Sequence, residues 1–275
     1  MNRRLNIAEE APSPERRTVV GRHPRMRRMA RRDEILAFAD ELLDVGSYRE
    51  FGPAGAQVLG AHEVTKLACG VSSSLELFRA AAAAEAQLLL VHHGIWWRNE
   101  PLVVDARQRG RLQALFDADL TLAAYHLPLD AHPELGNAAR LATRLGIEVD
   151  GPFLDFGVGG RLPAPLPLAE LVERVRGATD REPLVFADGP DPVRRIAIAT
   201  GSAGHDLILA ARGGYDLYLT GEPEEPTLHT ARELGITFVA AGHYATERLG
   251  VQALAELLAG QFGLEWEFLE IPNPV

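Results

Sequence analysis

The stretch Leu88-Leu89-Leu90-Val91-His92-His93-Gly94 decides the fold. Four consecutive apolar residues mark a strand buried on both faces, as inside a parallel sheet with helices on either side. A second such run occupies 120–125, and the amphipathic segment 107–118 lies between them. Strand, helix, strand is the unit of a parallel sheet. Upstream, 64–71 reads as another strand, and Ser72, Ser73 and Ser74 precede the Ala-rich helix 75–86, where hydroxyls accept the free N–H groups of a first turn. Further out, Ile35, Leu36, Ala39, Leu42 and Leu43 recur at helical spacing between Asp33 and Gly46.

The downstream half keeps the alternation. A helix at 134–145 ends on Gly146, and 151–167, with four Gly and four Pro, predicts turns and short edge strands. A helix follows at 168–175. Strands at 195–199, 217–220 and 236–240 alternate with helices at 207–212 and 227–234; the chain ends in a helix at 252–258 and a strand at 264–271. The pattern predicts α/β layers around mostly parallel or mixed sheets.

Composition narrows the function classes. The 275 residues are 47% hydrophobic and 24% charged, enough for one large domain or two ordinary ones. No apolar run reaches the roughly 20 residues that span a bilayer, which excludes a helical membrane protein. One cysteine, Cys69, excludes a disulfide framework, a zinc ribbon or a Cys-ligated iron–sulfur cluster, and fits a cytoplasmic location. Residues 1–32 hold ten Arg and three Glu, a net of +7, so the remainder carries −17. That acidic body argues against nucleic acid as a ligand. Residues 1–28 lack periodicity and an apolar signal core, and read as a disordered tail; a chain starting at Met29 is expected to keep its oligomeric state and metal content.

Three motifs carry metal-capable side chains, each just past an apparent strand. His92 and His93 close the deciding stretch, and adjacent residues at a strand end point in different directions, so two ions are within their reach. Tyr125-His126-Leu127-Pro128-Leu129-Asp130 offers a carboxylate able to bridge two cations, although Asp130 also has the chemistry of a cap for the following helix. In Gly242-His243-Tyr244-Ala245-Thr246-Glu247, His243 and Glu247 are four apart and share a helical face; a plain surface pair has the same spacing. Strand ends at a sheet's carboxyl edge are where ligands bind in α/β folds, and the three motifs can share one such edge, so their side chains are expected to converge on one site. The loop Thr200-Gly201-Ser202-Ala203-Gly204 can present amides to an anion. His205, Glu222 and His229 are weaker candidates at the cleft's rim, Trp96 and Trp97 read as wall, and Cys69 as inert core. No Ser–His–Asp triad, Walker loop or HExxH pattern is present.

Taken together, His92-His93-Gly94-Ile95-Trp96-Trp97, His126 to Asp130 and Gly242 to Arg248 resemble the dinuclear-metal-centre hexameric family, the Nif-three-like or GTP cyclohydrolase I type 2 homologues. The resemblance extends to Gly52-Pro53-Ala54-Gly55-Ala56-Gln57-Val58, Thr220-Gly221-Glu222 and Ile271-Pro272-Asn273-Pro274, from about residue 30 to the end. It implies two α/β lobes with mixed sheets flanked by helices, 29–130 plus 240–275 forming a metal-binding lobe and 131–239 the second. It implies two divalent ions (zinc, iron, manganese or cobalt) in the cleft between the lobes, held by His92, His93, Asp130, His243 and Glu247, with His126 as a ligand or acid–base residue. It also implies a toroidal homohexamer of three dimers. Two functions are compatible: a metal-dependent hydrolase acting on a nucleotide or related small molecule through a metal-bridging water, or a non-catalytic metal-insertion chaperone or regulatory scaffold.

Overall fold

The structure, a computed structural model, describes residues 29–101 and 103–275 together with the backbone of 19–21. In chain order its elements are β1 (Val19–Gly21), β2 (Ala30–Arg31), α1 (Arg32–Leu42), β3 (Gly55–Val58), β4 (Glu63–Val64), β5 (Lys66–Ser72), α2 (Leu75–Ala83), β6 (Leu88–His93), α3 (Ala106–Asp117) and β7 (Thr121–Ala124). There follow α4 (Leu127–Asp130), α5 (Asn137–Leu145), β8 (Glu148–Phe153), β9 (Gly157–Leu166), α6 (Leu168–Thr179), β10 (Leu184–Phe186), β11 (Val193–Ile198), α7 (Leu207–Arg212) and β12 (Leu217–Thr220). The chain closes with α8 (Thr227–Leu234), β13 (Thr237–Ala240), α9 (His243–Thr246), α10 (Arg248–Phe262) and β14 (Glu265–Phe268).

Two six-stranded mixed sheets organise the molecule. The first runs β1-β14-β5-β6-β7-β3; its four central strands are parallel, and β1 and β3 are antiparallel edges. The second runs β10-β13-β12-β11-β9-β8, with β11, β12 and β13 parallel. The chain leaves the first sheet after β7 and returns to it through α10 and β14.

The all-apolar run in β6 is explained by the two faces it serves. Leu88 and Leu90 pack under α1 and α10, among Ile35, Ala39, Leu254 and Leu258. Leu89 and Val91 face α2 and α3, among Phe78, Ala81 and Leu115. A strand side chain points to alternate faces, so a sheet covered on both sides needs apolar residues at every position. The second sheet is likewise sandwiched: Ile196, Ile198 and Leu219 against Leu141, Leu145 and Val175, and Tyr218 and Phe238 against Leu207 and Ala231.

The structure departs from the sequence expectation in four places. Residues 151–167 contribute a long antiparallel hairpin, and β9 lies inside the sheet between β11 and β8. Its glycines mark close approaches: a Cβ on Gly159 would lie 1.9 Å from the Tyr215 hydroxyl, and one on Gly160 2.5 Å from the Glu148 carbonyl. Residues expected to open α5 at 134 form a turn, and the helix starts at Asn137. Strands β3 and β10 are too short for periodicity to reveal. Within the tail, Val19 to Gly21 pairs with β14, Val19 opposite Phe268; the rest of 1–28 lies outside the described residues.

Candidate metal centre

The parallel strands of both sheets end at one cleft. From the first sheet come Ser72 at the end of β5, His92 and His93 at the end of β6, and His126 and Asp130 around α4 after β7. From the second come Gly201 after β11, Glu222 after β12 and His243 after β13. The three motifs thus do not share one sheet edge; they hang from two edges that face each other. The physical reason is that His243 follows β13 directly, whereas Glu247 already leads into α10 on the first sheet.

Glu247 is the centre of the constellation. Its carboxylate is 3% exposed and meets three imidazoles. Oε1 lies 3.7 Å from His92 Nε2; Oε2 lies 3.2 Å from His93 Nε2 and 3.1 Å from His243 Nε2. Asp130 Oδ2 stands 3.3 Å from His92 Nε2. His92, His93 and His126 form one group of mutually close ligand atoms, and His93, His243 and Glu247 another. All six residues named by the sequence thus meet in one place. The two adjacent histidines address opposite oxygens of one carboxylate.

Each imidazole is tied from behind through Nδ1. His92 Nδ1 is 3.0 Å from the Tyr125 carbonyl, which can only accept, so Nδ1 carries the hydrogen and Nε2 faces inward with its lone pair when the ring is neutral. His93 Nδ1 pairs with Ser72 Oγ at 3.0 Å, His126 Nδ1 with Glu50 at 3.3 Å, and His243 Nδ1 with Glu222. Asp130 Oδ1 accepts from Asn137 Nδ2 at 2.8 Å, and Asn137 Oδ1 in turn accepts from the Gly250 amide. Asp130 therefore caps nothing; Gly136 precedes α5, and the capping alternative is set aside.

The electrostatics follow from this packing. Burial works against a charge on His92, but Asp130 and Glu247 outweigh it and hold its pKa well above the ordinary imidazole value. On His243 burial is likewise outweighed, by Glu247 and Glu222, and the pKa is pushed up to about 9. For His93 burial dominates and lowers the pKa against the pull of Glu247. Glu247 suffers the same burial, yet His92 and His93 keep it well below the usual carboxylate range.

A metal ion fits these residues on two observations. His92 Nε2 and Glu247 Oε2 are buried without an aligned hydrogen-bond partner, an arrangement that is costly unless something else satisfies them. The 3.1–3.7 Å separations between facing N and O atoms match the edges of a coordination shell with bonds of about 2.0–2.2 Å.

Sequence reading left Glu50 and Asn137 unassigned, took Ser72 only as part of a capping turn and took Gly201 only as part of an anion-binding loop. None belongs to a metal motif, because each acts through another side chain. Glu222, a weak candidate in sequence, gains its place by holding His243. The amide of Gly201 donates to Thr246 Oγ1, so it is not free for an anion. His229 on α8 is exposed and enters none of these contacts, and His205 is 62% exposed at the rim. Cys69 is buried, and burial pushes its thiol pKa up, in line with inert core.

The Duf34/NIF3 (NGG1p interacting factor 3) family profile matches residues 30–274. The chain belongs to this family. Among relatives in the Duf34/NIF3 family, a Pseudomonas aeruginosa protein named GTP cyclohydrolase 1 type 2 homolog is 47% identical over 242 residues, covering 86% of this chain and 95% of that one. The Escherichia coli K12 protein of the same name is 42% identical, covering 88% and 98%. Among solved structures, ybgI, described as of unknown function, has a TM-score of 0.86 at 40% identity over 90% of this chain and all of that one. TTHA1606 from Thermus thermophilus has a TM-score of 0.83 at 36% identity over the same shares. No helix among the described residues is long and apolar enough to cross a membrane.

Replacing Glu222 with Gln tests the support of His243. Gln still accepts from Nδ1 but removes the charge that strengthens the imidazole as a ligand. Metal affinity is expected to fall roughly 10–100-fold in competition with a chelator, with the fold unchanged. An unchanged affinity would show that Glu222 is a bystander.

Proposed function

We propose that the cleft holds two divalent ions on His92, His93, Asp130, His243 and Glu247, and that the protein is a metal-dependent hydrolase of a nucleotide or related small molecule. One observation carries the reading: Glu247 meets imidazoles on both carboxylate oxygens, His92 on one and His93 with His243 on the other. A carboxylate so addressed is placed to bridge. The name shared by the curated relatives agrees with the reading.

Bound divalent ions supply Lewis acidity and lower the pKa of water, which makes hydrolysis feasible at neutral pH. The chain's own residues do the rest. His126, part-buried and held by Glu50, is the group placed to move a proton between water and a leaving group. The Trp97 ring stands 5.4 Å from His126 and 5.8 Å from His93, and limits water on that side. Trp97 is itself fixed by Nε1–H donation to the Gly94 carbonyl. Asn137 keeps Asp130 turned toward His92. Family membership supports the ring of three dimers, which a light-scattering mass of about six times the 29.9 kDa chain would verify.

The test is elemental analysis of protein purified without chelator, followed by a hydrolase screen. Two ions per protomer and a turnover abolished by chelation are expected. Two tightly held ions with no turnover on any phosphorylated or cyclic-amide substrate would favour the metal-insertion role instead.

Metal loading should also release protons. In the ion-free protein His243 holds its proton up to about pH 9, and His92 is shifted the same way. Ligation needs neutral imidazole, so affinity should rise with pH through the neutral range and level off above about 9. Calorimetry in buffers of different ionisation enthalpy measures the release. A titration that liberates no proton at pH 7 contradicts the ligand roles of both histidines.

A further inference from the structure

The cleft is larger than its metal-capable residues need. Its volume is about 650 Å³, within the ~300–1,000 Å³ of small-molecule sites. Its wall runs from His93, His126, His243 and Glu247 to two arginines of α3, Arg107 and Arg111. Spaced four apart, these two lie on one face of the helix.

The two arginines differ in availability. Arg107 is paired with Glu100 at 2.8 Å. Arg111 has no carboxylate within ion-pair distance among the described residues; its Nη2 donates to the Ser73 carbonyl at 3.1 Å. Burial and the charge of Arg107 act against the Arg111 cation and outweigh the opposing charges of Glu100 and Asp105. An anion paired with the guanidinium would offset the Arg107 charge. Ser73, 8% exposed, adds a hydroxyl in the same wall that has no hydrogen-bond partner.

Chain connectivity sets the reach. Ser72 Oγ bonds His93, and the next residue, Ser73, receives Arg111. The guanidinium and the metal-capable histidines are thus linked through adjacent residues, a separation a single small molecule can bridge.

We propose that Arg111, with Ser73 beside it, is the anion anchor of this cleft, so that the substrate is a small molecule carrying a phosphate or carboxylate at the end remote from its reacting centre. This rests on the hydrolase reading for the reaction, but the anchor itself does not depend on a bound ion. A guanidinium offers a planar fork suited to either group.

The test compares wild type, Arg111→Ala, Arg111→Lys and the control Arg109→Ala, an exposed arginine of the same helix. Inorganic pyrophosphate and malonate serve as probes, with tryptophan fluorescence as readout. Each protein is measured as purified, with its metal content determined, and again after chelation. Arg111→Ala is expected to weaken one or both probes about 10–100-fold in both states, Arg111→Lys less, and Arg109→Ala not at all, with metal content unchanged throughout. The probe that loses more identifies the anionic group. If Arg111→Ala binds both probes as wild type does, or if Arg109→Ala costs as much, the anchor is refuted. Absence of metal from the purified wild type would instead count against the dinuclear reading, and the chelated arm would still decide the anchor.

Discussion

Glu247→Gln protein is expected to purify folded but with at most one ion per protomer, and that one bound more than a hundredfold more weakly. The amide keeps the size and one acceptor oxygen, yet it cannot bridge cations as a charged ligand. Any hydrolytic turnover should vanish with the metal. The ion-free state is informative too. Because His92 and His93 depress the Glu247 pKa in the fold, its stabilisation is present above the unfolded carboxylate pKa and is lost as pH falls through the folded value. Wild type without metal should therefore lose stability in acid on this account, whereas Glu247→Gln should be less stable at neutral pH by roughly 3–5 kcal/mol, with a flatter acid limb. Denaturant melts at pH 7 and pH 4 measure the difference. Two tightly held ions in Glu247→Gln would remove Glu247 from the ligand set and leave it a partner of His243.

Gly201→Ala is the smallest change with a comparably large expected effect. Gly201 has φ +69°, in the left-handed region, and a Cβ there would lie 2.1 Å from Glu247 Oε1 and 3.2 Å from His243 Nε2. The conformation alone disfavours alanine by about 1–2 kcal/mol. The contact adds to it, because the carboxylate is buried and packed against three imidazoles, which leave it no room to retreat. Metal binding should fall sharply and the ion-free protein lose roughly 2–4 kcal/mol. Gly177→Ala is the matched control: it lies inside α6 with nothing within 4 Å of a new Cβ, and should be neutral or slightly stabilising. Equal metal content in the two variants would show that the loop after β11 can yield, and that Gly201 does not shape the site.

Much of this was legible in the chain. The apolar run before His92 signalled a covered parallel strand, since a strand packed on both faces has no polar position to spend. The same logic located 217–220 and 236–240, and the Ser-rich turn announced α2, where Ser74 accepts from the Leu77 amide. His92, His93, His126, Asp130, His243 and Glu247 were readable as candidates because imidazole and carboxylate placed just after strands are chemically conspicuous. Their family pattern added order and spacing.

What sequence could not supply was the relation between the two sheets. Local periodicity reports which face of a strand is buried, but not which strand ends will oppose each other across a cleft. Strand-end placement alone allowed all three motifs on one edge, and only the family resemblance pointed to a cleft between lobes; tertiary structure hung His243 from the second sheet and carried Glu247 onto the first. The supporting residues were silent for the same reason. Glu50 and Glu222 hold His126 and His243 across 76 and 21 positions of chain, and Asn137, which holds Asp130, is itself fixed by the Gly250 amide 113 positions away. Gly201 matters for the atoms its missing side chain leaves room for, and Arg111 for the cavity it shares with the histidines. Sequence determined which side chains have metal-binding chemistry; the packing of two sheets edge to edge decided that they meet, because only folding brings distant strand ends within reach of one another.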